Sequence, residues 1–349
     1  MRESVLFLVH IVTAQLFAVG VEAFDLKFPW DNAAVSKFGG SWAGTSPKAL
    51  KPGDTVAVVG ASGNVGKLVA LRLSDTYNVN GIVRDATSVS NFLNRDSITL
   101  FEANLLEEQM QGDCARCPPS LRPALQSANA LVICTGTTAF PTKAWTKSGS
   151  SGVAGDVLKA LLDNSFDVKK AITSLDEQGF NTPKNVDALS NLFLVNAWKD
   201  ACKVPRKRLI MLSSIGVQRR DQMPFPILNA CGVLDAKAEG EAAIQAAAEK
   251  DGFSFTIIRP GQLFGGPYDN NYYLGTLFQL DKDAQTQDVE FAVGDTLVGD
   301  TLRSTLAEVT AQICEGDLAR DMDFAVVNVK GDAPSTEQVQ MKLSELIVV

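Results

Sequence analysis

Short apolar runs alternate with helical patterns from residue 55 onward. The apolar runs, which predict strands, are 55–59, 79–83, 98–101, 129–134, 208–213, 253–258 and 324–329. Apolar residues spaced three and four apart predict helices over 65–76, 119–127, 183–202, 235–251 and 301–315. This alternation is typical of a parallel sheet with helices on both faces. We therefore predict an α/β fold with a doubly wound parallel sheet, in which a ligand binds beyond the carboxyl ends of the strands.

The first predicted strand runs into a turn with three glycines and then into a helix, in the stretch TVAVVGASGNVGK at 55–67. Glycine permits torsions closed to other residues and lets a pyrophosphate approach the N–H groups at a helix start, where the helix dipole favours negative charge. The order strand, turn, helix is more specific than the glycine spacing alone. The sequence predicts a dinucleotide-binding Rossmann fold whose phosphate site comprises Gly60, Ser62, Gly63, Asn64, Val65 and Gly66.

The residue that ends the second predicted strand bears on the choice of cofactor. An acidic group there accepts hydrogen bonds from the ribose 2'-hydroxyl, whereas an arginine favours a 2'-phosphate. Arg84 stands at this position, which favours NADP(H). Asp85 follows it and leaves NAD(H) open as the alternative cofactor.

The first residues have the layout of a secretory signal peptide, with one basic residue, an apolar stretch and small residues before position 24. We predict a signal peptide over 1–23, a flexible or transit-like arm over 24–52, and one domain over 53–349. No other stretch is long and apolar enough to cross a bilayer, so we expect no transmembrane span in the mature chain. Physical reasoning alone indicates entry into the secretory route.

Charge and histidine content exclude several functions. The chain has a formal net charge of −8, which argues against nucleic acid as a partner. The basic residues at 203–208, with Arg219 and Arg220, are interpreted as a solvated rim of the sheet. His10 is the only histidine and lies in the predicted signal peptide, so a mature chain without it has no imidazole chemistry. We predict no metal site.

Six cysteines do not make a disulfide framework in a chain of this size. Cys134, Cys202, Cys231 and Cys314 stand among apolar or small residues and are predicted to be buried. Cys114 and Cys117 stand in a polar loop, where the pair is either a redox switch or two ordinary loop thiols.

The segment 146–180 is long for a connection within a compact domain. It begins with a Gly/Ser-rich stretch and continues as one predicted amphipathic helix. Two interpretations stay open: a surface insertion that covers the rim of the sheet, or an element that binds a partner.

Several blocks of the sequence resemble a known family. They are GASGNVG at 60–66, IVRD at 82–85, CTGTTAFPTKAW at 134–145, NTPKNVDALSNL at 181–192, SSIGV at 213–217, LDAKAEGE at 234–241, FTIIRPGQLFGGPY at 255–268 and GDTLVGDTLRSTLAEV at 294–309. Over about residues 51–346 the chain resembles the atypical, NmrA-like short-chain dehydrogenase/reductases, and within them plastid NAD(P)-binding Rossmann proteins of plants and algae. The signal peptide and the arm after it likewise resemble the two-part presequence of proteins imported into complex plastids. A plastid location is therefore expected, with secretion as the alternative.

The family resemblance implies further site residues. Asn104 and Leu105 would flank the adenine, and Thr135, Gly136 and Thr137 would line the middle of the cofactor. The segment with Pro260, Gly261 and Leu263 would approach the nicotinamide.

The catalytic set that the family implies is incomplete. Lys237 matches the lysine that holds the ribose, and Ser213 or Ser214 matches the serine that positions the substrate. The proton-donating tyrosine, four residues before the lysine, is replaced by Val233. Tyr268, Tyr272 and Tyr273 follow the nicotinamide segment and are interpreted either as a substrate lid or as packing aromatics.

Two functions follow from these residues. The first is an NADP(H)-dependent oxidoreductase acting on a small plastid metabolite. The second is a non-catalytic NADP(H)-sensing regulator, assembly or tethering protein that binds a plastid protein partner.

Overall fold

The computed structural model of the protein describes residues 49–111, 115–147, 153–265 and 286–346. Alternating chain segments in these ranges form strands and helices. The strands are β1 (Thr55–Val59), β2 (Asn78–Val83), β3 (Ile98–Glu102), β4 (Ala130–Ile133), β5 (Arg208–Leu212), β6 (Ser254–Pro260), β7 (Gln262–Phe264), β8 (Asp288–Val293), β9 (Asp300–Leu302) and β10 (Met322–Val329).

Eight of these strands form one sheet in the order β3-β2-β1-β4-β5-β6-β10-β8. Every neighbouring pair is parallel except β10 and β8, which are antiparallel. The direction of strand order reverses between β1 and β4, and this reversal defines the crevice in which doubly wound folds bind their ligands. The short strands β7 and β9 pair separately beside the sheet.

Helices connect the strands on both faces of the sheet. Their bounds are α1 (Gly66–Leu73), α2 (Leu105–Gln111), α3 (Arg122–Leu125), α4 (Ala154–Asp163), α5 (Val168–Glu177), α6 (Ser190–Ala201), α7 (Phe225–Leu228), α8 (Val233–Asp251), α9 (Arg303–Glu315) and α10 (Thr336–Glu345). A π-helical turn, Lys184–Leu189, leads directly into α6.

Two apolar cores lie on the two faces of the sheet because successive strand residues point to opposite faces. In β1, Val56 and Val58 pack with α1, α9 and α10, whereas Ala57 and Val59 pack with α3, α6 and α8. Strands buried on both faces have no polar alternation, which is why their sequences are continuous apolar runs. Leu50 already packs into the first core, ahead of the predicted domain start at residue 53.

The predicted fold class is confirmed, and all seven predicted strands are present within two residues of their predicted ends. The segment predicted to hold one amphipathic helix holds two, α4 and α5. They pack against each other and against Trp145, Phe180 and Cys231 in a separate apolar cluster. The predicted helices missed α2, α7 and α10, and the predicted strands missed the edge strand β8 and the short strands β7 and β9.

The interpretation of the basic residues at 203–208 as a solvated rim is wrong for most of them. Arg208 is 2% exposed, and its guanidinium donates to the carbonyl oxygens of Leu318 and Ala319. Burial lowers the pKa of Arg208 to about 10. Lys207 forms a salt bridge with Asp54. These cations hold the amino ends of the strands together, which the sequence pattern did not indicate.

The cysteines that the structure describes are free thiols. Cys231 and Cys314 are buried as predicted, whereas Cys134 and Cys202 are partly exposed. Cys117 is buried, and burial raises its pKa to about 11, which makes it a weak nucleophile near neutral pH. Cys114, the other member of the predicted pair, lies outside the described residues.

Within the described ranges, no helix is long and apolar enough to span a membrane. The same ranges contain no group of three or more side chains of His, Cys, Asp and Glu placed to hold a metal ion.

Candidate functional site

The glycine turn after β1 is closed tightly on itself. Gly60 has a φ of +77°, and a Cβ at Gly66 would lie 2.1 Å from the Gly60 carbonyl oxygen. The Gly63 N–H donates to that same oxygen at 2.9 Å. Glycine is therefore required at residue 60 by the backbone torsion and at residue 66 by the close approach of the turn to the helix.

Helix α1 begins at this turn without a side-chain cap. Its N-cap residue, Val65, makes no capping hydrogen bond, and its side chain is buried in the core, so only its backbone is available to a ligand. Ser62 and Asn64 are half-buried beside it, and Gly63 is exposed. An uncapped helix start with an exposed glycine before it suits a phosphate group.

A buried polar atom without a partner lies next to the turn. The Thr135 hydroxyl oxygen, just after β4, makes no hydrogen bond with the described residues. A Cβ at Gly60 would lie 2.9 Å from the Thr135 methyl carbon, so the two residues are in close contact across the crevice. Buried hydroxyls normally have a partner. The glycine cradle and this hydroxyl both fit a dinucleotide cofactor.

Arg84 follows β2 and is exposed, with no hydrogen bond or ion pair to the part of the chain that the structure describes. The neighbouring carboxylates are occupied. Asp85 accepts hydrogen bonds from the Thr87 hydroxyl at 2.6 Å and the Thr87 N–H at 2.9 Å, and these bonds lower its pKa. Glu102 accepts from the Ala86 N–H at 2.8 Å. Arg84 therefore keeps its donors available to a ligand, whereas Asp85 and Glu102 hold backbone and hydroxyl donors of their own segment.

Asn104 and Leu105 are half-buried at the start of α2. The Asn104 carbonyl accepts the Glu108 N–H as the helix begins. Because β3 is the neighbour of β2, these residues lie one strand along from Arg84, at the same carboxyl edge of the sheet.

Lys237 forms a buried salt bridge that the sequence pattern did not predict. Its Nζ lies 2.7 Å from Oδ1 of Asp187, and the two side chains are 9% and 1% exposed. Oδ2 of Asp187 accepts the Thr137 N–H at 3.2 Å, and a Cβ at Gly136 would lie 3.3 Å from the Lys237 Nζ. Burial raises the pKa of Asp187, while the charge and hydrogen bond of Lys237 oppose that rise. The lysine and the loop after β4 therefore meet at one carboxylate.

A signal for Asp187 was present in the sequence. In α6 the buried residues Leu194, Ala197 and Ala201 follow one another at spacings of three and four. Asp187 and Ser190 continue this face towards the amino end. An acid on the apolar side of a helix pattern indicates a buried partner.

The two serine candidates have different surroundings. The Ser213 hydroxyl is buried and donates to Glu241, which in turn forms a salt bridge with Arg259 at 2.6 Å. Its hydrogen-bond donor is therefore used inside the protein, which makes Ser213 the less available of the two serine candidates. Ser214 is half-buried and donates to the Ile215 carbonyl at 3.0 Å, so it is the better placed serine.

Val233, at the tyrosine position, is buried in an apolar cluster with Ile215, Val217, Phe225 and Leu234. A hydroxyl at this position would be surrounded by apolar side chains. Tyr77 follows α1 and is 3% exposed, so it is buried away from a substrate. The tyrosines predicted as a lid or packing aromatics, Tyr268 among them, lie outside the described residues.

The segment after β6 serves the packing of β7 against β9. A Cβ at Gly261 would lie 2.0 Å from the Gly299 carbonyl oxygen, and the Gly261 N–H donates to the Thr301 hydroxyl at 2.8 Å. Leu263 packs against the core. The missing side chain of Gly261 therefore faces β9, whereas the family resemblance implied a place for it at the nicotinamide. The Gln262 side-chain oxygen is buried without a partner among the described residues.

The strand order, the glycine turn and the charged groups beyond the strands define a dinucleotide-binding protein of the Rossmann class. The chain belongs to the NAD(P)H-binding family, whose model matches residues 60–317. No curated protein sequence matches the chain.

Two solved structures show the same fold at low sequence identity. A protein from Bacillus halodurans that is named as an NAD-dependent epimerase/dehydratase is 19% identical, with a TM-score of 0.53. The match covers 84% of this chain and 100% of that protein. The oxidoreductase ylbE from Lactococcus lactis is 16% identical, with a TM-score of 0.53, over 84% of this chain and 97% of that protein.

Proposed function

We propose that the protein is an NADP(H)-dependent oxidoreductase of the atypical, NmrA-like short-chain dehydrogenase/reductase type that acts on a small plastid metabolite. The observation that carries the cofactor preference is the exposed guanidinium of Arg84, which has no partner among the described residues, whereas the carboxylates of Asp85 and Glu102 accept hydrogen bonds from Thr87 and Ala86. An arginine with free donors can hold a 2'-phosphate through two parallel hydrogen bonds. NAD(H) carries a 2'-hydroxyl in place of this phosphate and cannot form that pair of bonds.

Different residues along the carboxyl edge of the sheet would bind different parts of the cofactor. The N–H groups of the turn at 60–66 would hold the pyrophosphate, and the Thr135 hydroxyl would gain the partner that it lacks within the protein. Lys237 would hold the nicotinamide ribose, and Ser214 would orient a substrate oxygen. The bound nicotinamide would supply or accept the hydride.

A specific observation favours the second candidate, a non-catalytic NADP(H) sensor or assembly protein. Val233 belongs to an apolar cluster, so the usual proton donor is missing, and the Ser213 hydroxyl donates to Glu241, which leaves Ser214 as the serine candidate. The cofactor site is the same under both candidates.

One experiment separates the two candidates. NADPH and NADH are titrated by fluorescence, and NADPH oxidation is then followed with plastid quinones, enals and tetrapyrrole precursors. The oxidoreductase predicts tighter binding of NADPH than of NADH and turnover with at least one of these classes. Tight NADPH binding without turnover across the set would support the sensor, and the absence of binding to either nucleotide would refute both.

The plastid location is tested separately. Residues 1–52 fused to a fluorescent protein are expected to direct it into the plastid of an alga with complex plastids, whereas residues 1–23 alone are expected to direct it only into the secretory route. Secretion of both fusions would contradict the plastid proposal.

A further inference from the structure

Asp187 connects three segments of the chain at the wall of the crevice. It belongs to the π-helical turn before α6, and it accepts hydrogen bonds from Lys237 on α8 and from the Thr137 N–H after β4. A third anchor is its own carbonyl, which accepts the Asn191 side-chain amide at 2.7 Å. One carboxylate therefore sets the distance between the lysine and the loop that faces the glycine turn.

The Asp187 carboxylate is the counter-ion of the buried Lys237 ammonium. A buried ammonium without a counter-ion loses its proton more easily, because burial penalises the charged form. A π-helical turn is uncommon and is frequent at functional sites. Here it aims Asp187 inward although the residues after it continue as a regular helix.

We propose that Asp187 is a positioning residue for the cofactor, which keeps Lys237 charged and fixed beside Gly136 where the ribose of NADP(H) binds. This inference rests on the proposed function. Its consequence is that replacing Asp187 should weaken cofactor binding, and more so at high pH, because burial penalises an ammonium that has no counter-ion.

The charged groups on α8 and on the elements around it form other ion pairs within the described ranges. These are Glu241 with Arg259, Arg259 also with Asp323, Arg219 with Asp295, Arg220 with Asp235, and Lys199 and Arg206 with Asp251. Burial raises the pKa of Asp176 and of Glu239, and the charge of Lys184 on the π-helical turn opposes both rises. Among the described residues, Asp187 is the carboxylate that forms a salt bridge with Lys237.

The test measures the dissociation constant of NADPH by fluorescence from pH 7 to pH 9, a range in which the 2'-phosphate is already doubly ionised. The dissociation constant of the wild-type protein is expected to stay constant within about twofold over this pH range. Asp187→Asn is expected to bind about tenfold more weakly at pH 9 than at pH 7, because Lys237 loses its proton and with it a charge-assisted hydrogen bond. Asp187→Asn combined with Lys237→Arg is expected to restore a flat profile, since arginine stays protonated.

The matched control is Asp54→Asn, which breaks another Lys–Asp pair, Asp54 with Lys207, at the opposite edge of the sheet. It is expected to lower thermal stability and to leave the NADPH profile flat. If Asp187→Asn does not fold, Asp187→Glu takes its place: it keeps the charge, displaces it by one methylene and is expected to weaken NADPH binding about threefold at every pH.

The outcomes separate the two levels of the proposal. Wild type that binds neither NADPH nor NADH refutes the proposed function. Wild type that binds NADPH, together with a flat profile in Asp187→Asn or an unchanged affinity in Asp187→Glu, overturns the role of Asp187 alone.

Discussion

Replacing Arg84 should change which nicotinamide cofactor the protein prefers. Hydrogen bonds to charged groups contribute about 1.5–3 kcal/mol, but Arg84 is exposed, so solvent screening reduces the contribution to about 1.4 kcal/mol. Arg84→Ala should therefore weaken NADPH binding about tenfold and leave NADH binding unchanged. Arg84→Asp adds repulsion of about 1 kcal/mol between the carboxylate and the 2'-phosphate, for a total loss of about 50-fold.

The assay is a fluorescence titration of each variant with both nucleotides, with the ratio of the two dissociation constants as the result. Asp85→Asn is the matched control: the Asp85 carboxylate is hydrogen-bonded to Thr87, so its replacement should change the ratio by less than about twofold. An unchanged ratio in Arg84→Asp would refute the role of Arg84. A reversed cofactor preference in Asp85→Asn would show that Asp85, and not Arg84, determines which nucleotide binds more tightly.

Three further predictions concern stability. Gly66→Ala should lower the free energy of unfolding in urea by about 3 kcal/mol, because its Cβ would stand 2.1 Å from the Gly60 carbonyl oxygen; a loss below about 1 kcal/mol would contradict the tight turn. Val233→Tyr should also destabilise, by about 1–3 kcal/mol, because the ring must enter a filled apolar cluster, and a raised melting temperature would show that space exists there. Although burial opposes it, the bonds from Lys199 and Arg206 hold the pKa of Asp251 below its ordinary value. Its contribution is therefore present above about pH 4 and is lost as pH falls through the lowered pKa. Wild type and Asp251→Asn should differ by about 1 kcal/mol at pH 7 and by progressively less as pH falls below about 4, and a constant difference would refute this.

The central sheet was predictable because its strands are buried on both faces. Continuous apolar runs such as 55–59 leave little ambiguity, and the glycine turn fixes where the first helix begins. The edge strand β8 has water on one side and alternates less clearly, so its pattern was missed. The two helices of the insertion were read as one because the sequence does not show where a short amphipathic helix turns back on itself.

The site was only partly predictable, because its decisive contacts join residues far apart in the chain. Lys237 was found through the family resemblance, whereas its partner Asp187 lies 50 positions earlier. Ser213 and Ser214 could not be told apart, because the bond from Ser213 to Glu241, one turn beyond Lys237 on α8, leaves no trace in local sequence. The three side chains at 233, 237 and 241 share one helix face, yet each has a different type of partner.

The basic residues at the amino ends of the strands give the sheet two edges of different character. At the amino edge, Arg208 binds the carbonyls of Leu318 and Ala319, and Lys207 is neutralised by an acid. At the carboxyl edge, the Thr135 hydroxyl is buried without a partner in the described chain. The proposed cofactor site and these structural contacts thus lie at opposite ends of the same strands. A substitution at an exposed residue of the carboxyl edge such as Arg84 can alter specificity with little effect on folding, whereas a change at the buried Arg208 is selected through the abundance of the folded protein.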